Sequence, residues 1–251
     1  MPYNAVRLNG LEKPTLFSEV NPKIDSCLKL NKRQQIDGLK LLGMIDTGAV
    51  RTAFFDPQYR GVLDKLKYGN EGKQRGKERA ALPQMTEELI LSFIREIARV
   101  LAPSGYLFLW IDKFHLMQTA SNWIAEFPAL QVVDMITWDK GAIGMGYRTR
   151  RRAEYLVVVQ KEPILAKSTW TLHNIPDVWL EKLSQKNHTH SKPVQLQKQL
   201  ILATTKEGDL VLDPAAGGYS VLEACREAGR DFIGGDIVFG EENNGEENTQ
   251  S

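Results

Sequence analysis

The chain has little cysteine, no long apolar run and almost no net charge. Its two cysteines, Cys27 and Cys225, lie far apart in 251 residues, which argues against a disulfide-stapled extracellular fold. No apolar stretch approaches the roughly 18 residues of a membrane span, and we expect no secretory leader. These absences predict a cytoplasmic protein with reduced thiols and no membrane partner.

Metal-ligand spacings are lacking as well. His188 and His190 have no cysteine or carboxylate at ligand spacing, so we expect no metal. The formal net charge of +1 hides an asymmetry, because residues 237–251 hold four glutamates and no basic residue. This segment, rich in Glu, Asn and Gly, has no apolar periodicity and is predicted to be a disordered acidic tail.

Basic residues are concentrated in two places. One is an arginine cluster formed by Arg148, Arg150, Arg151 and Arg152, and the other is the segment 60–79. Either could lie against a phosphate backbone. The alternative is a solvated loop, which is the commoner meaning of a charge run by itself.

The apolar pattern alternates between strand and helix through the middle of the chain. Thr86, followed by Glu87 and Glu88, predicts a helix start, and Pro103 and Gly105 are expected to end that helix. The expected elements after it are strand 106–111, helix 116–127, strands 131–138 and 155–160, a short helix near 178–183, helices 194–205 and 219–228, and strand 231–234. This order predicts an α/β fold with a doubly wound, mostly parallel sheet.

Two short motifs stand at strand ends. Asp56-Pro57-Gln58-Tyr59 follows the apolar run 52–55, and Asp213-Pro214-Ala215-Ala216-Gly217-Gly218 follows the run 209–212. Open α/β sheets place their chemistry at such corners. A carboxylate near an aromatic ring suits an enzyme that modifies a base, and a glycine-bearing loop after a strand suits a nucleoside cofactor. The pair suggests methyl transfer to a base.

An acid follows the second motif at a characteristic distance. Strand 231–234 leads to Asp236, near the spacing of about 20 residues at which nucleoside-binding folds place the acid that grips ribose hydroxyls. The order is therefore strand, glycine loop, helix, strand and acid.

Together these motifs resemble the amino-group DNA methyltransferases that use S-adenosylmethionine, in the permuted order called the β class. In that family a tetrad of the type Asp-Pro-Pro-Tyr comes first, and a cofactor loop, Asp-Pro-Phe-x-Gly-Ser-Gly-Thr, comes last. The segment 188–193 is similar to the family's His-Pro-Thr-Gln-Lys-Pro, and the segment 232–236 is similar to its Phe-Ile-Gly-x-acid strand. Asp37 lies where the family has Gly-Asp-x-Leu.

The resemblance implies a Rossmann-like methyltransferase fold and a division of the chain. The catalytic domain would span 35–236, preceded by an N-terminal extension, 1–34, and followed by the tail, 237–251. The loop-rich stretch 141–191, which includes the arginine cluster, would be the target-recognition insert.

The resemblance also implies roles for three residues of the tetrad. Asp56 and the backbone carbonyl of Pro57 would accept the two N–H bonds of the target amine and aim its nitrogen at the methyl donor. Tyr59 would stack on the base after it leaves the duplex. The alternatives are a strand-end turn for Asp56 and a core-edge aromatic for Tyr59.

For the cofactor, the resemblance implies residues from both ends of the chain. Asp213 would bind the ammonium group, Asp236 the ribose hydroxyls and Asp37 the adenine amine. Lys192 or its neighbours would meet the carboxylate, and small loop residues would let the backbone approach. The expected cofactor site is therefore Asp37, Lys192, Asp213, Ala215, Gly217, Ser220 and Asp236. Alternatively, Asp37 only starts a helix and Lys192 lies on the surface.

A few positions depart from the family pattern. Gln58 replaces the second proline of the tetrad, which removes one fixed φ and adds an amide. In the cofactor loop, Ala215, Gly218-Tyr219 and Ser220 stand where the family has Phe, Ser-Gly and Thr.

The resemblance implies site-specific methylation of double-stranded DNA at the amine of a flipped base, with S-adenosylmethionine as donor. The target favoured is adenine N6, because an Asp-headed tetrad is associated with adenine in many relatives. The alternatives are an N4-cytosine DNA methyltransferase, an RNA methyltransferase and a non-catalytic subunit that binds nucleic acid. A short recognition segment often needs a second protomer, which makes a homodimer one option.

Overall fold

The protein's structure, a computed structural model, describes residues 24–58, 84–144, 148–183 and 192–242. Tyr59, the basic segment 60–79 and both His188 and His190 lie outside the described residues. So do the first 23 residues and the last nine, 243–251.

Among the described residues, seven strands form the main sheet and helices pack on both of its faces. In chain order the elements are β1 (Gln34–Gln35), α1 (Gly38–Gly43), β2 (Val50–Phe55), α2 (Glu87–Val100), β3 (Leu101–Ile111), α3 (Lys113–Gln118), α4 (Ala120–Ala125), β4 (Leu130–Asp139), β5 (Ala153–Lys161), β6 (Val178–Leu180), α5 (Val194–Thr204), β7 (Leu210–Asp213), α6 (Ser220–Ala228), β8 (Asp231–Gly234) and β9 (Glu241–Glu242). The order across the main sheet is β6-β4-β5-β3-β2-β7-β8.

The sheet is mixed but mostly parallel. Strand β5 runs antiparallel to both of its neighbours, β3 and β4, whereas the other neighbouring pairs are parallel. The predicted α/β fold with a mostly parallel sheet is therefore confirmed. Strand β2 is buried at all of its positions, as expected of a strand that is covered on both faces.

Apolar side chains fill the space above and below the sheet. On one face, Phe55 belongs to a cluster with Ile94 of α2. On the other face, Phe54 belongs to a cluster with Leu200 of α5 and Leu222 of α6. Because successive side chains of a strand face opposite sides, the end of β2 is anchored in both layers.

Side-chain caps set two of the helix starts. Thr86 accepts a hydrogen bond from Leu89 N at 3.2 Å and caps α2, which confirms the predicted start. Asp112 accepts a hydrogen bond from Phe114 N at 2.9 Å and caps α3. The predicted helix 116–127 therefore begins earlier, and Thr119 divides it into α3 and α4.

The predicted short helix near 178–183 is wrong. Residues 178–180 form β6, which pairs in parallel with the end of β4, and Trp179 is less exposed than its two neighbours. This alternation has the period of a strand. Only the tertiary pairing with β4 fixes so short an element.

Two predicted boundaries also need correction. The stretch 141–191 is not one insert, because β5 runs through it as an interior strand of the sheet. The described residues on either side of β5 are those of the β4–β5 connection, 140–144 and 148–152, and the segment 162–183. The expected disorder from 237 onward does not hold for residues 237–242, because β9 pairs in parallel with β1. No helix in the described ranges is long and apolar enough to cross a membrane.

Candidate functional site

The carboxyl ends of β2 and β7 meet at one edge of the sheet. The two strands are parallel neighbours, with Ala53 opposite Leu212. Asp56, which follows β2, and Asp213, which ends β7, therefore emerge side by side and line one cavity. The two motifs come from opposite ends of the chain and share a single cleft.

Most of the predicted site residues line this cleft. Pro57 directly follows Asp56 and is buried, whereas Tyr59 lies outside the described residues. Phe54 and Phe55 also contribute to the wall. The predicted residues that line the cavity are Asp37, Asp56, Lys192, Asp213, Ala215, Gly217, Ser220 and Asp236.

Aromatic packing and one backbone hydrogen bond hold the first motif. The Phe55 ring stacks on Phe93 with centroids 5.1 Å apart, and the Phe54 ring lies 4.9 Å from that of Phe108. The carbonyl of Gln58 accepts a hydrogen bond from Met85 N at 2.7 Å. These contacts fix the corner that presents Asp56.

Asp56 belongs to a row of alternating charges. Its Oδ2 lies 2.9 Å from Lys192 Nζ, and the same Nζ lies 2.9 Å from Glu154 Oε2. Lys140 pairs with the other carboxylate oxygen of Glu154. The Lys192 ammonium also lies 5.0 Å from the centroid of the Trp110 ring. The sequence analysis did not predict Glu154 as a site residue.

The charges in this row fix one another's protonation. Burial opposes ionisation of Glu154, but Lys192 and Lys140 outweigh it and lower its pKa to about 2. Burial also opposes the charge on Lys192, yet Asp56 and Glu154 raise the pKa of its ammonium above the ordinary value. Glu154 is therefore ionised and Lys192 protonated at neutral pH.

Asp213 is a buried acid with no ion pair among the described residues. Its side chain accepts a hydrogen bond from Ala215 N at 3.2 Å, and no ion pair joins it to a basic residue of the described chain. Burial, which outweighs both that hydrogen bond and the opposing charge of Lys192, raises the pKa of Asp213 to about 8, with a further contribution from Asp56 and Asp236. A cationic ligand group would compensate this carboxylate.

Asp236 and Asp37 both accept backbone hydrogen bonds. Asp236 accepts from Gly217 N at 3.2 Å, and from Val238 N and Phe239 N at 2.8 and 2.9 Å. It thereby ties the glycine loop to the segment after β8. Asp37 caps α1 by accepting from the amide of residue 40 at 2.9 Å, so it both starts a helix and lines the cleft.

Tyr219 stands in the glycine loop where the family pattern has a glycine, and the sequence predicted no role for it. Its φ is 59°, in the left-handed region that a glycine would occupy without cost. Its side chain is buried, and its hydroxyl lies 2.8 Å from Gln34 O and 2.7 Å from Phe239 O. The tyrosine therefore fastens the loop to the two segments beside it.

The cleft fits a polar, zwitterionic ligand such as S-adenosylmethionine. Trp110 Nε1 and Gln197 Oε1 are buried without a hydrogen-bond partner among the described residues, and both residues line the cleft. One is a donor and the other an acceptor. With Asp213 they form an uncompensated polar set, as expected where a ligand supplies the missing partners.

The described residues of the β4–β5 connection, 140–144 and 148–152, lie at the same edge of the sheet as the cleft. The connection joins Asp139 to Ala153, which are paired across β4 and β5. Arg152 binds both oxygens of Asp139, at 2.7 and 2.8 Å, and Arg150 donates to the carbonyl of residue 144 at 2.7 Å. Arg148 and Arg150 are exposed, whereas Arg151 is partly buried, and its Nη2 has no partner in the described ranges.

Comparisons with known proteins point in one direction. The sequence model of the N6/N4 DNA methylases matches residues 50–240. The chain is 66% identical, over 215 residues, to the Type II methyltransferase M.HhaII of Haemophilus parahaemolyticus. This alignment covers 86% of this chain and 94% of that protein.

Two solved structures share the fold. The crystal structure of the M1.HpyAVI-SAM complex matches with a TM-score of 0.58 at 18% identity, over 82% of this chain and 94% of that chain. The PvuII DNA methyltransferase, described as cytosine-N4-specific, matches with a TM-score of 0.59 at 15% identity, over 80% of each chain. At such identities the likeness concerns the fold alone.

Proposed function

The chain belongs to the N6/N4 DNA methylase family, and from this premise we propose that it methylates the N6 amine of adenine at a specific DNA sequence. The family takes an electrophilic methyl group from S-adenosylmethionine. The observation that carries the proposal is the shared cleft, in which Asp56 and Asp213 stand at neighbouring strand ends.

Asp213 is the residue we assign to the ammonium group of the cofactor, because a buried acid with no ion pair of its own gains most from binding a cation. Asp236 is assigned to the ribose hydroxyls, since a carboxylate that accepts backbone hydrogen bonds retains lone pairs for further donors. Asp37 is assigned to the adenine amine. Ala215, Gly217 and Ser220 form the loop and helix start that face the ligand.

Asp56 and Pro57 are assigned to the target amine. The lone pair of an exocyclic amine is delocalised into the base, so the nitrogen is a poor nucleophile. The Asp56 carboxylate and the Pro57 carbonyl each accept one N–H, which favours a tetrahedral nitrogen whose lone pair points at the methyl group. As the carbon–nitrogen bond forms, the carbon–sulfur bond breaks, and the nitrogen then loses a proton. Tyr59 is assigned to stacking on the base.

Double-stranded DNA with a flipped base is the proposed substrate. A base inside the duplex cannot reach a cleft at a sheet edge, so it must leave the stack. The exposed Arg148 and Arg150 are assigned to phosphate contacts beside the opening, together with Arg151 and Arg152 of the same β4–β5 connection. Because the recognition segments are short, we propose that a homodimer binds the DNA.

The base that carries the new methyl group tests the function. Genomic DNA from a methylation-deficient bacterial host that expresses the protein is digested to nucleosides and analysed by mass spectrometry, with total RNA analysed in parallel. N6-methyldeoxyadenosine is the expected product. N4-methyldeoxycytidine would contradict the choice of adenine, methylation of RNA alone would contradict the choice of DNA, and the absence of any methylated nucleoside would contradict catalysis.

A further inference from the structure

We propose that Lys192 and Glu154 are positioning residues for Asp56, an inference that rests on the proposed function. Lys192 joins the carboxylates of Asp56 and Glu154 through a single ammonium group, with both distances 2.9 Å. The three residues come from three separate parts of the fold: the end of β2, the start of β5 and the segment before α5. The contact therefore depends on the assembled tertiary structure.

The ammonium group controls the orientation of the Asp56 carboxylate. It binds Oδ2 and leaves Oδ1 for the N–H of the target amine. The Lys192 side chain is only 12% exposed, and its ammonium is held on one side by the Trp110 ring. A carboxylate fixed at one oxygen retains fewer orientations of the other, which is the kind of preorganisation that methyl transfer to a weak nucleophile requires.

Glu154 keeps this arrangement compatible with catalysis. A lysine paired with Asp56 alone would withdraw negative charge from the oxygen that must accept the amine hydrogen. Because Glu154 shares the ammonium, only part of the positive charge of Lys192 is directed at Asp56. Lys140, on the outer side of Glu154, holds that glutamate in place.

Lys192 does not act as a base in this account. The two carboxylates beside it raise the pKa of its ammonium above the ordinary value, so it carries no lone pair at neutral pH. The proton that the target nitrogen loses therefore goes to Asp56 or to solvent. The work of Lys192 is to place Asp56, and not to bind the carboxylate of the cofactor as the family resemblance implies.

Kinetics and cofactor binding separate these two roles. Lys192→Met and Glu154→Gln are compared with wild type by single-turnover methylation at saturating DNA and S-adenosylmethionine, and by the Kd for S-adenosylhomocysteine. We expect the rate to fall about a hundredfold for Lys192→Met and about tenfold for Glu154→Gln, with Kd within about twofold of wild type. Lys192→Arg should recover part of the rate because it restores the cation.

Lys198→Met is the matched control. Lys198 is also a lysine of the α5 region, paired with Glu227 at 3.1 Å, but on the exposed surface. Its rate and Kd should equal those of wild type. A Lys192→Met variant that keeps full rate at saturation but binds S-adenosylhomocysteine more than about tenfold less tightly would assign Lys192 to the cofactor. An unchanged rate and Kd would make it a structural residue, and either outcome overturns the proposal.

A titration without catalysis tests the same cluster. Carbon-13 NMR of the side-chain carboxyl groups follows the ionisation of Glu154 in wild type and in Lys192→Met. We expect its pKa to rise by more than about one unit when the ammonium is removed, and an unchanged titration would overturn the inference even in an active enzyme. A wild type that shows the cluster but methylates no nucleic acid would instead contradict the proposed function. Glu154→Gln, which keeps the shape of the side chain, supplies the kinetic test if Lys192→Met does not fold.

Discussion

At the scale of single residues, Asp213 couples the cleft to pH. Burial raises the pKa of its carboxyl group to about 8, whereas an aspartate in the unfolded chain ionises near pH 4. Between these values the folded protein holds a proton that the unfolded chain has released. The contribution of Asp213 to stability therefore falls as the pH rises from about 4 to about 8.

The same proton must leave when a cationic group binds. From about pH 6 to about pH 7.5, the Kd for S-adenosylhomocysteine should fall nearly tenfold per pH unit; above about pH 8 the α-amine of the ligand loses its own charge. Isothermal titration calorimetry in two buffers of different ionisation enthalpy measures Kd and the proton release together. Asp213→Asn should bind weakly and lose the release. A wild-type Kd independent of pH over this range would contradict the pairing of Asp213 with the ammonium group.

Tyr219 is the second residue whose contacts predict a measurable effect. Tyr219→Phe keeps the buried ring and removes the hydroxyl that meets Gln34 O and Phe239 O. The free energy of unfolding should fall by about 1 kcal/mol, and cofactor affinity should weaken because the Asp236 segment is less firmly held. Urea denaturation measures the first quantity.

Tyr219→Gly separates the backbone cost from the packing gain. Glycine relieves the left-handed conformation, worth about 1 kcal/mol, but removes a ring whose loss from a core costs about 3 kcal/mol or more. The variant should therefore be less stable than Tyr219→Phe. A Tyr219→Gly protein more stable than wild type would show that the ring does not offset the backbone conformation.

At the scale of elements, the connection between β4 and β5 makes the clearest prediction. The double variant Arg148→Ala, Arg150→Ala should weaken DNA binding and lower the slope of log Kd against log salt by about 2, because two phosphate contacts are lost. Fluorescence anisotropy with a labelled duplex over a salt series measures the slope. Arg226→Ala, near the end of α6, is the control and should leave it unchanged. An unaltered slope in the double variant would remove both arginines from the interface.

The elements that are predicted well are those whose secondary structure is determined by the residues within the element itself. Strands β2, β3 and β7 contain the apolar runs 53–55, 106–111 and 210–212, and α2 carries its cap and its apolar stripe within one segment. Strand β6 has three residues and exists only because β4 lies beside it. Strand β9 likewise depends on β1, more than 200 positions away in the sequence.

Some site residues can likewise be predicted from local sequence, whereas others are brought to the site only by tertiary structure. Asp56, Asp213 and Asp236 stand in local motifs, so the sequence points to them directly. Glu154 reaches Lys192 because β5 runs antiparallel to β3 and brings its first residues to the edge where β2 ends. Trp110 and Gln197 count as site residues because they line the cleft and because Trp110 Nε1 and Gln197 Oε1 have no hydrogen-bond partner among the described residues. Neither property has a local sequence signal.

At the scale of the whole molecule, a buried ion pair joins the two strands that carry the motifs. Arg51 of β2 and Asp209, just before β7, lie 3.0 Å apart with side chains 4% and 6% exposed. Because removal of one partner leaves a buried charge, Asp209→Ala should lower the free energy of unfolding by about 3–5 kcal/mol. Glu227→Ala breaks the exposed pair with Lys198 and should cost no more than about 1 kcal/mol. If urea denaturation gave Asp209→Ala and Glu227→Ala the same loss of unfolding free energy, the buried pair would stabilise the fold no more than the exposed pair, which would contradict this account.

The association of the two strand ends in one cleft is what methyl transfer requires of this fold. Parallel pairing of β2 with β7 places a residue assigned to the base beside a residue assigned to the cofactor. Substitutions at the two residues should therefore affect different steps, the methyl transfer at Asp56 and the binding of the cofactor at Asp213. Asp56→Ala should abolish the chemical step without harming cofactor binding, whereas Asp213→Asn should weaken binding and recover much of its turnover at saturating cofactor.

Methyl transfer by Asp56→Ala, measured beside its Kd for S-adenosylhomocysteine on the same preparation, tests this division most directly. The account predicts a rate at least about a thousandfold below wild type, with Kd within about twofold. Turnover close to that of wild type would contradict it, and so would a loss of cofactor binding as large as the loss of rate.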